Sequence, residues 1–493
     1  MAFLNAHRTF HRLALSLAGA GLLAVGCAPQ VWTGPEPVTR TAAGLQTTQQ
    51  IQAERTLVTG YAAPQTPDAF NASPVVRWSI ETPSDRPETI YVALPGLFGG
   101  AGSFAPWAQQ MVRSDPASEV WVVDRRSNLL EDHSATRNGD REAVVAYLRE
   151  PSSADAFALP DEEAHPYVRH WDLDVHLRDL HHVVTEARAD GDRVVLVGHS
   201  MGAALAGVYA GWRFPDGPGG TQLDGMVFID GAPGRTGAFG NLLDGWDDQV
   251  RADEEAPQAA EDRAPLWLPG ERAVRRTVER YAAAWLAAED ADADLPDGIT
   301  DFPVSTLGYA GILIDSQYDP ARTGTVTIGE VAEADLDGNL FGFLLSGGWA
   351  TQSASVVGVL EGAERVEWVR GDREEERTDP ATFMEAWSTA DADGATWFEP
   401  TALLRDLATV PANVTQNDDP RLVPTAEVTV PTLMIGSDRG LLRDSRVLDA
   451  YAHSRAGDLL TRLVFQRYAH TDLVMAEANP LVPITQRWVG NLP

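Results

Sequence analysis

Short apolar runs alternate with helical patterns in two separate stretches of this chain. In the first, "TIYVALPG" is a continuous β-branched run ending at a glycine, and "SFAPWAQQMV" after it has helical spacing. "EVWVVDRR" is a second buried run. Trp171 to Ala189, "WDLDVHLRDLHHVVTEARA", reads as a helix closing on Asp190-Gly191. "RVVLVGHS" is a third run and leads straight into the helix "MGAALAGVYAGW", and "DGMVFIDGAP" is a fourth. Strands that are apolar throughout, and not only at every second position, are covered on both faces. Their alternation with helices predicts a parallel sheet with helices on either side.

The rhythm stops at about Gly234. From there to Thr425 the sequence is charged, Trp-bearing and mostly helical or irregular, without an internal repeat. It resumes at "PTLMIGSDRG", followed by "LLRDSRVLDAYAH", "RLVFQRYAHTD" and the closing helix "ITQRWVGNL". A crossover between parallel strands needs only a dozen or more residues, so the interruption has the size of an inserted domain. Between Cys27 and about Ala72 the chain is rich in Pro, Thr, Gln and Ala with little periodicity, a tether with one strand near "RTLVTGY". The predicted organisation is a leader over 1–27, a tether over 28–71, a first core segment over 72–234, an insertion over 235–425 and a second core segment over 426–493.

Composition narrows the chemistry. The chain has 493 residues, 44% of them apolar, enough for a large core. All 38 basic residues are arginine. Without lysine there is no P-loop lysine, no Schiff-base lysine for pyridoxal phosphate and no Ser-x-x-Lys hydrolase. A formal charge of -33 makes a soluble, self-repelling surface that is a poor partner for nucleic acid or anionic lipid. The single cysteine, Cys27, follows two arginines and the uncharged run Leu13 to Gly26, which has signal-peptide proportions. The stretch resembles a bacterial lipobox, although Ala24 stands where such boxes usually carry Leu, Val or Ile. It implies export, with Cys27 lipidated and the anchor as the membrane contact; cleavage near Gly26 by the ordinary signal peptidase is the competing reading. A lone cysteine forms no internal disulfide.

A serine nucleophile needs a sharp strand-to-helix turn, small flanking residues, a histidine to take its proton and a carboxylate to orient that histidine. "VVLVGHSMGAALAG" meets the first two demands at Ser200, between Gly198 and Gly202. Here the residues resemble the α/β-hydrolase family, "GHSMG" being similar to its nucleophile elbow. The resemblance covers Ala72–Gly234 and Ala426–Pro493. It implies a doubly wound, mostly parallel sheet with a large, mainly helical cap inserted after the sixth core strand. It also implies the chain order Ser, acid, His. Asp438, directly after the strand "PTLMIGS", is the expected acid, with Asp444 and Asp230 as rivals. Many relatives place the acid one position further on, where Arg439 stands here. His470, after "RLVFQRYA", is the expected base, since His453 lies in the helix-like "VLDAYAHSRA". The backbone N–H of Met201 supplies one oxyanion donor. "LPGLFGG" resembles the family's His-Gly-x loop with Pro95 in place of the His, and Leu97 N–H is the expected second donor, ahead of Phe98. "VWVVDRRSN" resembles a strand and loop in which the D-x-R pair is structural.

Other constellations carry less. His165, His170, His176, His181 and His182 lack the i, i+4 spacing of a helical metal pair and read as a solvated helix face. Glu333, Asp335, Asp337 and Gly338 faintly resemble a calcium loop, but its twelfth position is Leu344. The tryptophans between Trp246 and Trp397 read as packing for the insertion, ahead of an acyl pocket. The expected function is an exported serine hydrolase of small-molecule or lipid carboxylic esters, with no metal or organic cofactor. A peptidase or amidase with the same triad, and a non-catalytic binding lipoprotein, are the alternatives. The epoxide hydrolases and haloalkane dehalogenases of this family would imply an Asp in place of Ser200.

Overall fold

The computed structural model describes residues 50–80, 86–151, 156–233, 266–268, 271–300, 303–315, 377–388, 395–411, 413–415, 418–442, 451 and 459–493. Eight strands form the central sheet: β1 (Ile51–Thr59), β2 (Ala72–Ile80), β3 (Thr89–Leu94), β4 (Ser118–Val123), β5 (Val194–His199), β6 (Gly225–Ile229), β7 (Thr432–Ser437) and β8 (Leu460–Phe465). Their spatial order is β1-β2-β4-β3-β5-β6-β7-β8. β2 runs antiparallel to β1 and β4. All neighbours from β4 to β8 are parallel.

The four apolar runs that predicted strands are β3, β4, β5 and β6, and β7 is the strand where the rhythm resumes. β3, β5, β6 and β7 are buried at every residue. Their side chains alternate between two apolar layers. Tyr91 and Ala93, Val195 and Val197 face one layer with Trp107 and Met111 of α1 (Ala105–Ser114). Ile90 and Val92, Val194 and Leu196 face the other with Leu180 and Val184 of the long helix Leu173–Asp190. A sheet with an apolar layer and helices on each face is the doubly wound arrangement the pattern predicts.

Among the described residues, eight helices of eight or more residues follow α1: α2 (Arg141–Arg149), α3 (Leu173–Asp190), α4 (Met201–Gly211), α5 (Glu271–Glu289), α6 (Thr306–Asp315), α7 (Pro380–Ser388), α8 (Thr401–Thr409) and α9 (Leu481–Gly490). α3 starts where Asp172 accepts the Val175 N–H and ends at Gly191, as the Asp-Gly stop predicts. Within 235–425 the described helices do not form a separate core. Tyr281 of α5, Leu313 of α6 and Phe383 of α7 join the layer of α1, and Leu403 and Leu407 of α8 join that of α3. Trp267 and Trp397 are fully buried there, with the Trp397 ring 5.0 Å from His133 and 6.0 Å from Phe157. These two tryptophans are packing residues.

Two expectations need correction. Ile51–Thr59, placed within the tether apart from a strand near "RTLVTGY", is the edge strand of the sheet. Most of its residues are exposed, which is why its periodicity is weak. The histidine-rich helix is not simply a solvated face. His176 is buried, donating from Nδ1 to the Asp172 carbonyl (2.8 Å), and His181 stacks on Phe214 at 3.9 Å. Cys27 and its leader, the calcium-like residues, His453 and Asp444 lie outside the described residues. Among the described residues no helix is long and apolar enough to cross a membrane, and no three metal-binding side chains converge.

Candidate active site

β5 ends at His199 and α4 begins at Met201, so a single residue, Ser200, makes the turn between them. Its backbone stands at φ 56°, ψ -121°, a conformation L-residues rarely adopt. Such strain persists only where the surroundings enforce it. Here the Ser200 N–H is held by the Ile229 carbonyl of β6 (2.9 Å), and the Ser200 carbonyl takes the Ala203 N–H (3.0 Å). A Cβ on Gly202 would run into the Leu94 carbonyl, so this position must be glycine for α4 to approach β3. Ser200 is partly exposed, while both its chain neighbours are buried.

His470 lies on the loop after β8. That loop is pinned by Asp472, whose carboxylate accepts the Ala469 N–H and the Thr378 hydroxyl, each at 2.8 Å. The expected partner Asp438 is not the carboxylate that meets His470. His470 Nδ1 lies 2.6 Å from Asp230 Oδ2, and Asp230 is 0% exposed. Asp230 is the residue directly after β6, at φ 44°. Its carboxylate is received by the loop after β7: Leu441 N–H donates to Oδ2 (2.8 Å) and Leu442 N–H to Oδ1 (2.9 Å). A Cβ on Gly440 would collide with the same carboxylate. Asp438 is half-buried and accepts the Arg467 N–H at 2.8 Å. Arg467 stands at φ 62°, so Asp438 fixes a strained turn between β8 and His470. The correction has a simple physical origin. β6 and β7 are adjacent, each is followed directly by an aspartate, and the aspartate after β6 is the one that reaches the imidazole.

A second histidine, His199, supports the first. Its Nε2 donates to the His470 carbonyl at 3.0 Å, and the two rings are 4.4 Å apart. Burial and the neighbouring His470 push its pKa down to about 3, so the ring is neutral at ordinary pH. Burial, with the Arg126 and Arg125 charges adding to it, pushes His176 equally low, to about 3.

The loop after β3 brings backbone amides to Ser200. A Cβ on Gly96 would meet the Ser200 Cβ at 2.9 Å. Of the two donors considered on this loop, Phe98 is committed elsewhere: at φ 54° its N–H donates to Glu399 Oε1 (3.0 Å). The Gly99 N–H closes a turn on the Gly96 carbonyl (3.1 Å), and the Ala101 N–H goes to Asp124 Oδ1 (2.6 Å). Met201, in the first turn of α4, has no intrahelical acceptor for its N–H. Glu399 was not among the residues singled out from the sequence, which carries no signal for it beyond "TWFEP".

Several buried charges surround this loop. Arg126 forms a two-pronged pair with Asp179 of α3 (2.5 and 2.7 Å) and donates to the Tyr61 carbonyl (2.9 Å), the structural role expected of the D-x-R pair. Burial raises the carboxyls of Asp124, Glu131 and Glu399. Asp124 is pushed up to about 7, and Glu131 is raised well above its ordinary value, with Asp124 and Glu399 adding to the effect.

No protein-family model matches the chain, and no curated protein matches it. Solved structures do. An α/β-hydrolase fold protein from Nakamurella multipartita is 12% identical, with 89% of this chain and 99% of that chain covered and a TM-score of 0.40. A soluble variant of monoglyceride lipase from Saccharomyces cerevisiae is 10% identical, with 92% and 98% covered and a TM-score of 0.37. An epoxide hydrolase from Vigna radiata is 10% identical, with 89% and 98% covered and a TM-score of 0.40. The strand order, the parallel run from β4 to β8 and the strained turn at Ser200 make the architecture an α/β-hydrolase fold.

Proposed function

We propose that the protein is a serine hydrolase of carboxylic esters, with Ser200 as nucleophile, His470 as base and Asp230 as the acid that orients it. The observation that carries this reading is the 2.6 Å contact between His470 Nδ1 and a fully buried Asp230, on a sheet whose elbow holds Ser200 in a strained turn. With Nδ1–H donated to Asp230, the lone pair of the neutral ring is on Nε2. Ser200 Oγ attacks the acyl carbon as its proton passes to that nitrogen, and Asp230 stabilises the imidazolium. The N–H groups of Met201 and Leu97 receive the oxyanion. His470 then protonates the leaving alcohol, and water resolves the acyl-enzyme by the same proton path. Small-molecule or lipid esters are the proposed substrates. Export, with a lipid on Cys27, is proposed from the leader sequence, and a Cys27→Ala variant that still partitions with membranes would overturn it.

The test is a panel of p-nitrophenyl esters and aminoacyl anilides on wild type and Ser200→Ala, with fluorophosphonate labelling of both. Wild type is expected to label and to turn over esters faster than anilides. Ser200→Ala is expected to lose labelling and about 10³-fold or more of kcat. A wild type that does not label favours a non-catalytic scaffold, and faster anilide turnover makes the protein an amidase.

A further inference from the structure

We propose that Arg125 and Glu399 are positioning residues for the oxyanion donor, an inference that rests on the reading of Ser200 as nucleophile. The donor loop, Pro95 to Gly100, has left the central sheet, so its buried backbone groups need partners that the sheet does not supply. Arg125, directly beyond β4, supplies them for the carbonyls. Its Nη2 donates to Gly96 O (3.0 Å) and Gly99 O (2.8 Å), and its Nη1 to Pro95 O (3.4 Å). A guanidinium is suited to this work, because its donors are fixed in one plane and it remains charged when buried. Glu399 Oε1 accepts from Arg125 Nη2 at 2.5 Å and from Phe98 N–H at 3.0 Å. Its segment adds a further tie, Thr396 N–H to Phe98 O at 3.0 Å. Both side chains are buried, Glu399 completely.

Peptide geometry connects this clamp to the chemistry. The Gly96 carbonyl and the Leu97 N–H belong to one planar trans peptide and point in opposite directions. Arg125 holds the carbonyl end, and so fixes the direction of the N–H end, next along the chain from the Gly96 that lies against Ser200. Glu399 takes the N–H of the next peptide and balances the Arg125 charge. A donor that stabilises a transition state depends on direction to within tens of degrees. The clamp therefore acts on the oxyanion and leaves binding of the ground-state ester largely alone.

The experiment uses the full chain, with p-nitrophenyl butyrate turnover, burst titration of Ser200 and inhibition by a tetrahedral boronic-acid adduct. Arg125→Met and Glu399→Leu are expected to lower kcat about 30- to 300-fold, near the loss of one oxyanion donor, with KM within about threefold. Boronate affinity falls in parallel. Glu399→Gln keeps an oxygen for Phe98 and Arg125, and is expected to recover to within about fivefold of wild type. If Arg125→Met does not fold, Arg125→Lys carries the test, since one ammonium cannot reproduce the three carbonyl contacts. Variants that keep wild-type kcat well below their melting temperature overturn the proposal, as does a fall in kcat with boronate affinity unchanged. A wild type without a Ser200 burst instead overturns the underlying hydrolase reading.

Discussion

Asp230 and Asp438 differ in almost everything except their place on a strand. Each directly follows a fully buried parallel strand at the same edge of the sheet, and β6 and β7 are neighbours. Asp230 is completely buried, sits at positive φ, and gives one carboxylate to an imidazole and two backbone amides. Asp438 is half-buried, and its carboxylate takes one backbone amide of a strained turn. The contrast teaches that a carboxylate's role is assigned by what its environment points at it. The β7 loop still takes part: through Leu441, Leu442 and Gly440 it forms the seat for the Asp230 carboxylate.

The largest expected effect tests that assignment directly. Asp230→Asn is expected to lower kcat by about 10³- to 10⁴-fold, because an amide at this position no longer enforces the Nδ1–H tautomer. Asp438→Asn is expected to cost less than about tenfold in kcat and about 1 kcal/mol in stability, since a neutral oxygen still accepts from Arg467. If ester turnover collapses in the Asp438 variant and survives in the Asp230 variant, the two roles are reversed. Gly440→Ala falls between them. Its Cβ enters the space of the Asp230 carboxylate, and a loss of about 10- to 100-fold in kcat is expected, with KM little changed.

The smallest effect concerns the ring behind the pair. His199 and His176 are held near pKa 3 in the fold against 6.5 in the unfolded chain. Between those values the unfolded chain binds protons that the folded one does not, so stability declines as pH falls from 6.5 towards 3. Asp124 acts with the opposite sign. Raised to about 7, it is protonated in the fold before it is in the unfolded chain, and its contribution to stability weakens as pH rises from about 4 to 7. His199→Gln keeps a donor for the His470 carbonyl and removes one of the two rings. Its acid unfolding midpoint, followed by circular dichroism, is expected to move to lower pH, with kcat within about tenfold of wild type. An unchanged midpoint would show that His199 is not held neutral by the fold.

The central strands and the sharp turn at Ser200 are legible, because each is a local pattern: an apolar run and a Gly-flanked serine. The carboxylate that meets His470 is not. "VFIDGAP" and "MIGSDRG" are both apolar strands ending in an aspartate near a glycine, and nothing within either stretch says which faces the loop after β8. That depends on how far each backbone turns beyond its strand, and Asp230 reaches His470 through a positive φ that aspartate adopts more readily than most residues. Glu399 was illegible for a related reason. Its partners, Arg125 and Phe98, are far away in sequence, and a single buried glutamate leaves no periodic trace. The edge strand β1 was hard to see because most of its side chains face solvent.

The position of Asp230 also decides how the site is distributed along the polypeptide. Ser200 and Asp230 lie close in sequence, directly after adjacent strands joined by one helix, and the long interruption comes after them, before Thr432. Growth or loss of sequence in that interruption, away from its packed helices and Glu399, leaves the Ser200–Asp230 pair undisturbed and bears mainly on the return of His470. The closure entropy of a longer loop rises only slowly with length. The protein is therefore, in effect, a two-piece device. A chain nicked within the interruption would keep Ser200 and Asp230 in one fragment and His470 in the other, and recovery of the proposed ester turnover on mixing would report docking of β7 and β8 onto β6.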